Sequence, residues 1–300
     1  MNPFSFTVAT LALLAAGAVS AQSGTLAKIK EDQAATMGVR ESSGVLSYTL
    51  GDGKYAGFHV EVCTRVLTDV QKHLGLPKLD IRYQAVTSQN RIPLVQNGTV
   101  DIECGSTTNT TARRKDVAFA VTTYVEEVRI AVKTKSGITG IGQLSGRSVS
   151  TTTGTTSVQL LRKHKRAAGV DFKEVYGKDH ADSFLLLETG RADAFVMDGQ
   201  ILAGNIAKSK SPGDYRIVGE VLSVEPIAIM MRKDDPAFKK LVDDSIVAMI
   251  KSGEMAKTYD KWFVQPIPPG DTRVGLPLSN ATKAAWAKPN DRPVEDYLKK

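Results

Sequence analysis

The sequence predicts an α/β protein of two similar lobes with a cleft between them, joined by a hinge of two strands. Three observations carry that reading. Short runs rich in β-branched residues alternate with helical periods that end on glycine. A spacing recurs, Leu94-x3-Gly98-x2-Asp101 and Leu186-x3-Gly190-x2-Asp193, each read as a helix, a stop and a strand that opens on Asp. Two extended stretches, one over Tyr124, Val125 and 128–132 and one over 222–226, leave the first lobe and return to it.

Taken in order, residues 4–21 are uncharged and apolar and end in Val19-Ser20-Ala21. They read as a signal peptide over 1–21, cut after Ala21, and a membrane anchor is the rival reading. The exported remainder divides into a first lobe over 22–126, a second over 127–224, a return to the first over 225–264 and a surface tail over 265–300. In the first lobe a strand over 37–40 follows a polar leader, and 47–50 extends it before the turn at 51–53. Val62, Val66 and Val70 set one face of a helix over 58–73. Ile81, Tyr83 and Ala85 alternate as a strand, a short helix from Ser88 ends at Gly98, and a strand over 100–104 runs into Ser106, Thr107 and Thr108. The second lobe repeats the plan with a strand over 147–150, helices over 157–168 and 179–189, a strand over 192–197 and a helix over 200–208. Pro236, at first-turn position, opens a helix to residue 250 on the return.

Composition narrows the function. The chain of 300 residues carries 39 Lys and Arg against 32 Asp and Glu, a net charge of +7, with both signs interspersed. Aromatics at 6% are too few for a stacking groove, so a nucleic-acid partner is not expected. The densest basic run, Arg162 to Arg166, spreads over more than one helical face and reads as solvated surface. The two cysteines, Cys63 and Cys104, sit in an exported chain, where a disulfide is permitted; it forms if the helix carrying Cys63 packs beside Cys104, and two buried thiols are the alternative. Scattered histidines and two cysteines give no metal motif, and no cofactor motif is present.

The polar residues at strand ends and helix starts then suggest a ligand. Arg40, Arg91 and Arg113 belong to the first lobe, His180 and Asp198 to the second. Three guanidiniums around one cleft repel unless an anion joins them, and Asp198 suits an ammonium. Ser88, Ser106, Thr108, Thr152 and Thr155 supply neutral hydrogen bonds. No base is placed to activate any of these hydroxyls, so binding outranks catalysis.

Longer segments sharpen this. GVRESSG at Gly38, TSQNR at Thr87, ECGSTTN at Glu103, KDHADSF at Lys178, ETGRADAFVMD at Glu188 and KWFVQPIPP at Lys261 resemble the periplasmic solute-binding proteins of amino-acid ABC transporters, in particular those that carry glutamate and aspartate. The resemblance implies a type II periplasmic binding protein fold, a monomer that is not an enzyme, an acidic amino acid as ligand and a membrane permease as partner. It implies that Arg113, with Thr108 and Thr155, holds the α-carboxylate. Asp198 and groups near Ser106 receive the α-ammonium. Arg40, Ser88, Arg91, His180 and Thr152 surround the side-chain carboxylate. The alternatives are a dehydratase-like enzyme on the same fold and a ligand-sensing component for a receptor.

Overall fold

The computed structural model describes residues 24–297, so the segment read as a signal peptide lies outside the described residues. Two five-stranded sheets form the two lobes. The first runs, in spatial order, Asp80–Ala85, Ala34–Val39, Ile102–Glu103, Met230–Arg232 and Val117–Phe119. The second runs Lys173–Gly177, Ser148–Thr152, Ala194–Asp198, Tyr124–Lys133 and Tyr215–Ile227. In each, the first three strands are parallel and the last two join antiparallel. Loops at the carboxyl ends of such strands border the usual ligand crevice of an open α/β sheet.

The recurring spacing marks equivalent structures in the two lobes. Val100 N–H donates to Leu94 O at 2.9 Å and Ala192 N–H to Leu186 O at 2.8 Å, each after a glycine in the left-handed region, Gly98 and Gly190. Asp101 then bonds Thr36 twice, its N–H donating to Thr36 O and its carboxylate accepting from Thr36 N–H. Asp193 repeats this with Ser148. The aspartate is therefore the fastener that sets each parallel register. The helices differ in length. Asp179 closes a capping box on helix His180–Glu188, whereas Ser88 precedes helix Arg91–Gln96 by a turn that Thr87 and Asn90 hold reciprocally. Ser88 is thus a turn residue rather than the helix start that its spacing suggests.

Both crossings belong to long strands. Tyr124–Lys133 and Tyr215–Ile227 pair antiparallel from the hinge into the second lobe, with Glu126 opposite Glu225 and a register shift between Val218 and Ser223. That irregularity is why only 222–226, and not the whole of Tyr215–Ile227, reads as an extended crossing in the sequence. Helix Phe58–His73 buries Val62, Val66 and Val70 as its period requires, and Cys63 on it is bonded to Cys104. The leader contains a helix, Thr25–Asp32, and the tail another, Asn280–Ala287. Trp286 Nε1 donates to Thr123 O at 2.9 Å and Thr122 N–H to Asn290 O at 2.8 Å, so the tail is fastened beside the start of the first hinge strand. No helix among the described residues is long and apolar enough to cross a membrane.

Candidate functional site

A small, narrow cavity lies between the lobes. Ser88, Arg91, Ser106, Thr108 and Arg113 line it from the first lobe, and Thr155, Thr156, His180, Met197 and Asp198 from the second. Eight of the ten residues singled out in the sequence therefore meet there. Arg40 and Thr152, both fully buried, stand behind the wall, Arg40 in contact with Ser88 and His180 and Thr152 with His180. A larger cleft, open to solvent, adjoins the cavity and shares Arg113, Thr155 and Thr156 with it. The smaller space holds the buried charges and is the candidate site.

The three arginines are not equivalent. Arg40 Nη2 donates to Ser88 Oγ at 3.0 Å and pairs with Asp179 Oδ1 at 2.7 Å across the lobe boundary. Burial raises the Asp179 carboxyl, but the adjacent Arg40 and His180, with hydrogen bonds from Arg40 and Ser42, outweigh it and leave the pKa below the usual value. Arg113, half-buried, donates to Thr108 O at 2.9 Å and Gly154 O at 3.2 Å, one carbonyl from each lobe. Arg91 is 2% exposed, and its Nε and Nη1 have no hydrogen-bond partner. Burial, then the neighbouring Arg113, pull its pKa well below the ordinary arginine value. A guanidinium in that position is expensive unless a carboxylate meets it.

His180 has both ring nitrogens engaged. Arg40 Nη2 lies 3.3 Å from Nε2, and Thr152 Oγ1 lies 2.9 Å from Nδ1. Because arginine can only donate, Nε2 accepts, Nδ1–H donates to Thr152, and Thr152 passes its own hydrogen to Ser183 Oγ at 2.8 Å. Burial, then Arg40, lower the His180 pKa to about 3, so the ring is neutral and orients Arg40 rather than adding charge.

Facing the arginines is an acidic set. The Asp198 carboxyl lines the cavity and is pushed up to about 7 by burial and then by Glu225. Glu225 Oε2 accepts from Thr108 Oγ1 at 2.7 Å and Thr156 Oγ1 at 2.8 Å. Glu103, fully buried, accepts from Thr107 Oγ1 at 2.7 Å. Glu126 is 1% exposed, and burial, then Asp198, hold its pKa well above the usual range. Sequence reasoning missed Glu103, Glu126, Thr156 and Glu225, and read Asp179 only as the first residue of a helix. A signal did exist for the hinge acids, because two glutamates on strands read as paired crossings are candidates for one face. Among the described residues no group of three His, Cys, Asp or Glu side chains is placed to hold a metal.

The lobes also touch beyond the cavity. Asp179 Oδ2 accepts from Ser42 Oγ at 2.7 Å, and Gln200 Oε1 from Val45 N–H at 3.0 Å. Gly44 and Gly154 are in the left-handed region, and a Cβ on Gly154 would lie 2.8 Å from Ser88 O. Glycine there permits backbone of one lobe to meet backbone of the other.

The chain's relatives agree with this architecture. It is 45% identical over 292 residues to the L-glutamate/L-aspartate-binding protein of Pseudomonas aeruginosa, covering 96% of each chain. It is 43% identical over 275 residues to the glutamate/aspartate import solute-binding protein of Escherichia coli, covering 92% of this chain and 91% of that one. Among solved structures, an ancestral arginine-binding protein bound to glutamine superposes with a TM-score of 0.67 at 26% identity, covering 77% of this chain and 98% of that one. A mutant of ArgBP from T. maritima gives 0.70 at 25%, covering 79% and 98%. The two lobes are thus those of a type II periplasmic binding protein. Residues 35–265 match the family model directly, and the chain belongs to the bacterial extracellular solute-binding proteins, family 3.

Proposed function

We propose that this protein captures an acidic amino acid, L-glutamate or L-aspartate, outside the cytoplasm and delivers it to an ABC transporter permease. The observation that carries this reading is Arg91, a buried guanidinium whose Nε and Nη1 lack protein partners at the wall of the cavity between the lobes. A ligand that brings one carboxylate more than its ammonium can balance supplies the missing charge. The relatives named for glutamate and aspartate support the same class.

In this reading Arg91 and Ser88 hold the side-chain carboxylate, Arg40 orients Ser88 from behind the wall, and His180 with Thr152 fixes Arg40. Arg113 holds the α-carboxylate, helped by Thr108 and Thr155. Asn109 N–H to Pro226 O and Ala228 N–H to Thr107 O flank the bridge of Thr108 with Ile227. This pairing turns the Thr108 amide away from the hinge strand, the side on which its carbonyl meets Arg113. Asp198 takes the α-ammonium, with Ser106 near it. The two-strand hinge lets the second lobe swing onto a ligand held by the first, and the joint surface then meets the permease.

Family membership places the protein outside the cytoplasm, and cleavage after Ala21 is the processing step that we propose for export. The relatives are named as binding proteins, so turnover forms no part of the proposal. The test is native mass spectrometry of protein purified without denaturation. A bound mass equal to glutamate or aspartate is expected, and a neutral or basic amino acid as sole occupant would overturn the reading.

A further inference from the structure

Glu225 belongs to the hinge rather than to either lobe's ligand wall, yet one of its oxygens receives hydroxyls from both walls. Thr108 Oγ1 on the first lobe and Thr156 Oγ1 on the second donate to the same Oε2, at 2.7 and 2.8 Å. Glu225 is 3% exposed, and the strand pairing next to it, at Pro226 to Ala228, fastens the Thr107–Asn109 stretch to the hinge. Its carboxylate is thereby fixed relative to Thr108, and Thr156 joins it from the other lobe. Both threonines line the cavity, together with Asp198 and Arg113.

A threonine hydroxyl has one hydrogen and two lone pairs, and an ionised carboxylate only accepts. Once both hydrogens point to Glu225, neither oxygen has one to offer the cavity. What each presents there is a lone pair, which suits an N–H donor and repels a carboxylate oxygen. Resting on the amino-acid reading above, we propose that Glu225 is a positioning residue that commits the hydroxyl hydrogens of Thr108 and Thr156, and so fixes both oxygens as acceptors for the ligand's α-ammonium. Asp198 then provides the charge for the ammonium, and the two hydroxyls provide direction. The proposal divides Thr108 between two tasks, since its amide can still serve the α-carboxylate while its hydroxyl cannot.

Glu225→Gln is the informative variant. It keeps size and shape but introduces an amide N–H₂, which donates to a threonine oxygen and covers the acceptor that the ammonium needs. Calorimetry on ligand-stripped full-length mature protein compares L-glutamate with glutarate, which has the same carbon chain and both carboxylates but no amine. The parent should prefer glutamate, and Glu225→Gln should shrink that preference by about 10- to 100-fold, in line with loss of hydrogen bonds to a charged group. Thr156→Val, which removes one acceptor while leaving the hinge residues themselves unchanged, should shrink it in the same direction and carries the test if Glu225→Gln does not fold. A purely structural role for Glu225 would weaken both compounds by the same factor, and that result overturns the inference while leaving the acidic-ligand reading intact. A parent that binds neither compound overturns both.

Discussion

Replacing Arg91 by methionine should make the ligand-free protein more stable and the liganded one far weaker, two changes of opposite sign from one substitution. The guanidinium is 2% exposed, Nε and Nη1 are unpartnered, and Arg113 and Arg40 lie close enough to disfavour its charge. Methionine fills similar space with an unbranched apolar chain, so the cavity penalty is small. Exchanging a buried ionic group for an apolar one of like volume gains about 1–4 kcal/mol. In the complex the balance reverses, because a distal carboxylate deprived of Arg91 is left buried with Arg40 already committed to Asp179. An uncompensated buried charge costs about 3–5 kcal/mol, or roughly 100- to 5,000-fold in affinity.

Urea unfolding of ligand-stripped protein gives the stability arm, and titration calorimetry with glutamate and glutamine gives the binding arm. Glutamine carries no distal charge, so its loss should be about tenfold or less. An Arg91→Met protein that is less stable than the parent when empty, and that loses glutamate and glutamine by equal factors, would refute the reasoning.

Other consequences follow from the same geometry. The ammonium pairs with ionised Asp198, whose carboxyl titrates at about 7 in the closed protein, so below pH 7 binding must expel a proton; glutamate affinity should fall by up to about tenfold per unit from pH 7 to 5, a slope that Asp198→Asn abolishes. His59 and His180 are held neutral, with pKa values lowered to about 4 and about 3, so the unfolded chain binds more protons below pH 6.5. Stability should therefore drop as pH falls from about 6 to 4, by up to ~1.4 kcal/mol per unit for each histidine, as urea midpoints across that range would show. Gly154→Ala would place a Cβ 2.8 Å from Ser88 O of the facing lobe; glutamate binding should weaken by about 5- to 150-fold, and small-angle scattering should show less compaction on ligand addition. Reduction of the Cys63–Cys104 bond, which spans 41 residues, should cost about 4 kcal/mol in the chain-entropy account, read from unfolding curves with and without reductant.

Much of this was legible because local rules and tertiary needs coincide. The repeated Leu-x3-Gly-x2-Asp spacing could be read because each aspartate performs one local task, the double bond to the neighbouring strand. Eight cavity residues could be named because they fall at strand ends and helix starts, where backbone geometry delivers side chains to the crevice. The partition of charge was not legible. In sequence the three arginines look alike, and only the fold shows that Arg40 forms a salt bridge with Asp179 from the other lobe while Arg91, with Glu103 and Asp198 in its surroundings, forms none. Nor does spacing reveal that Glu126 faces Glu225, since their register depends on an irregularity in the second hinge strand. The helices over Thr25–Asp32 and Asn280–Ala287 escaped because one lies in a polar stretch and the other in a tail without a strong period.

The measurement that bears most directly on the central claim is calorimetry of ligand-stripped protein against L-glutamate, L-glutamine and L-arginine in one buffer at pH 7.5. The buried Arg91, with Nε and Nη1 unpartnered, predicts one saturable site for glutamate, at least about 30-fold tighter than for glutamine and closed to arginine. Saturation by arginine or glutamine with no heat from glutamate would contradict it.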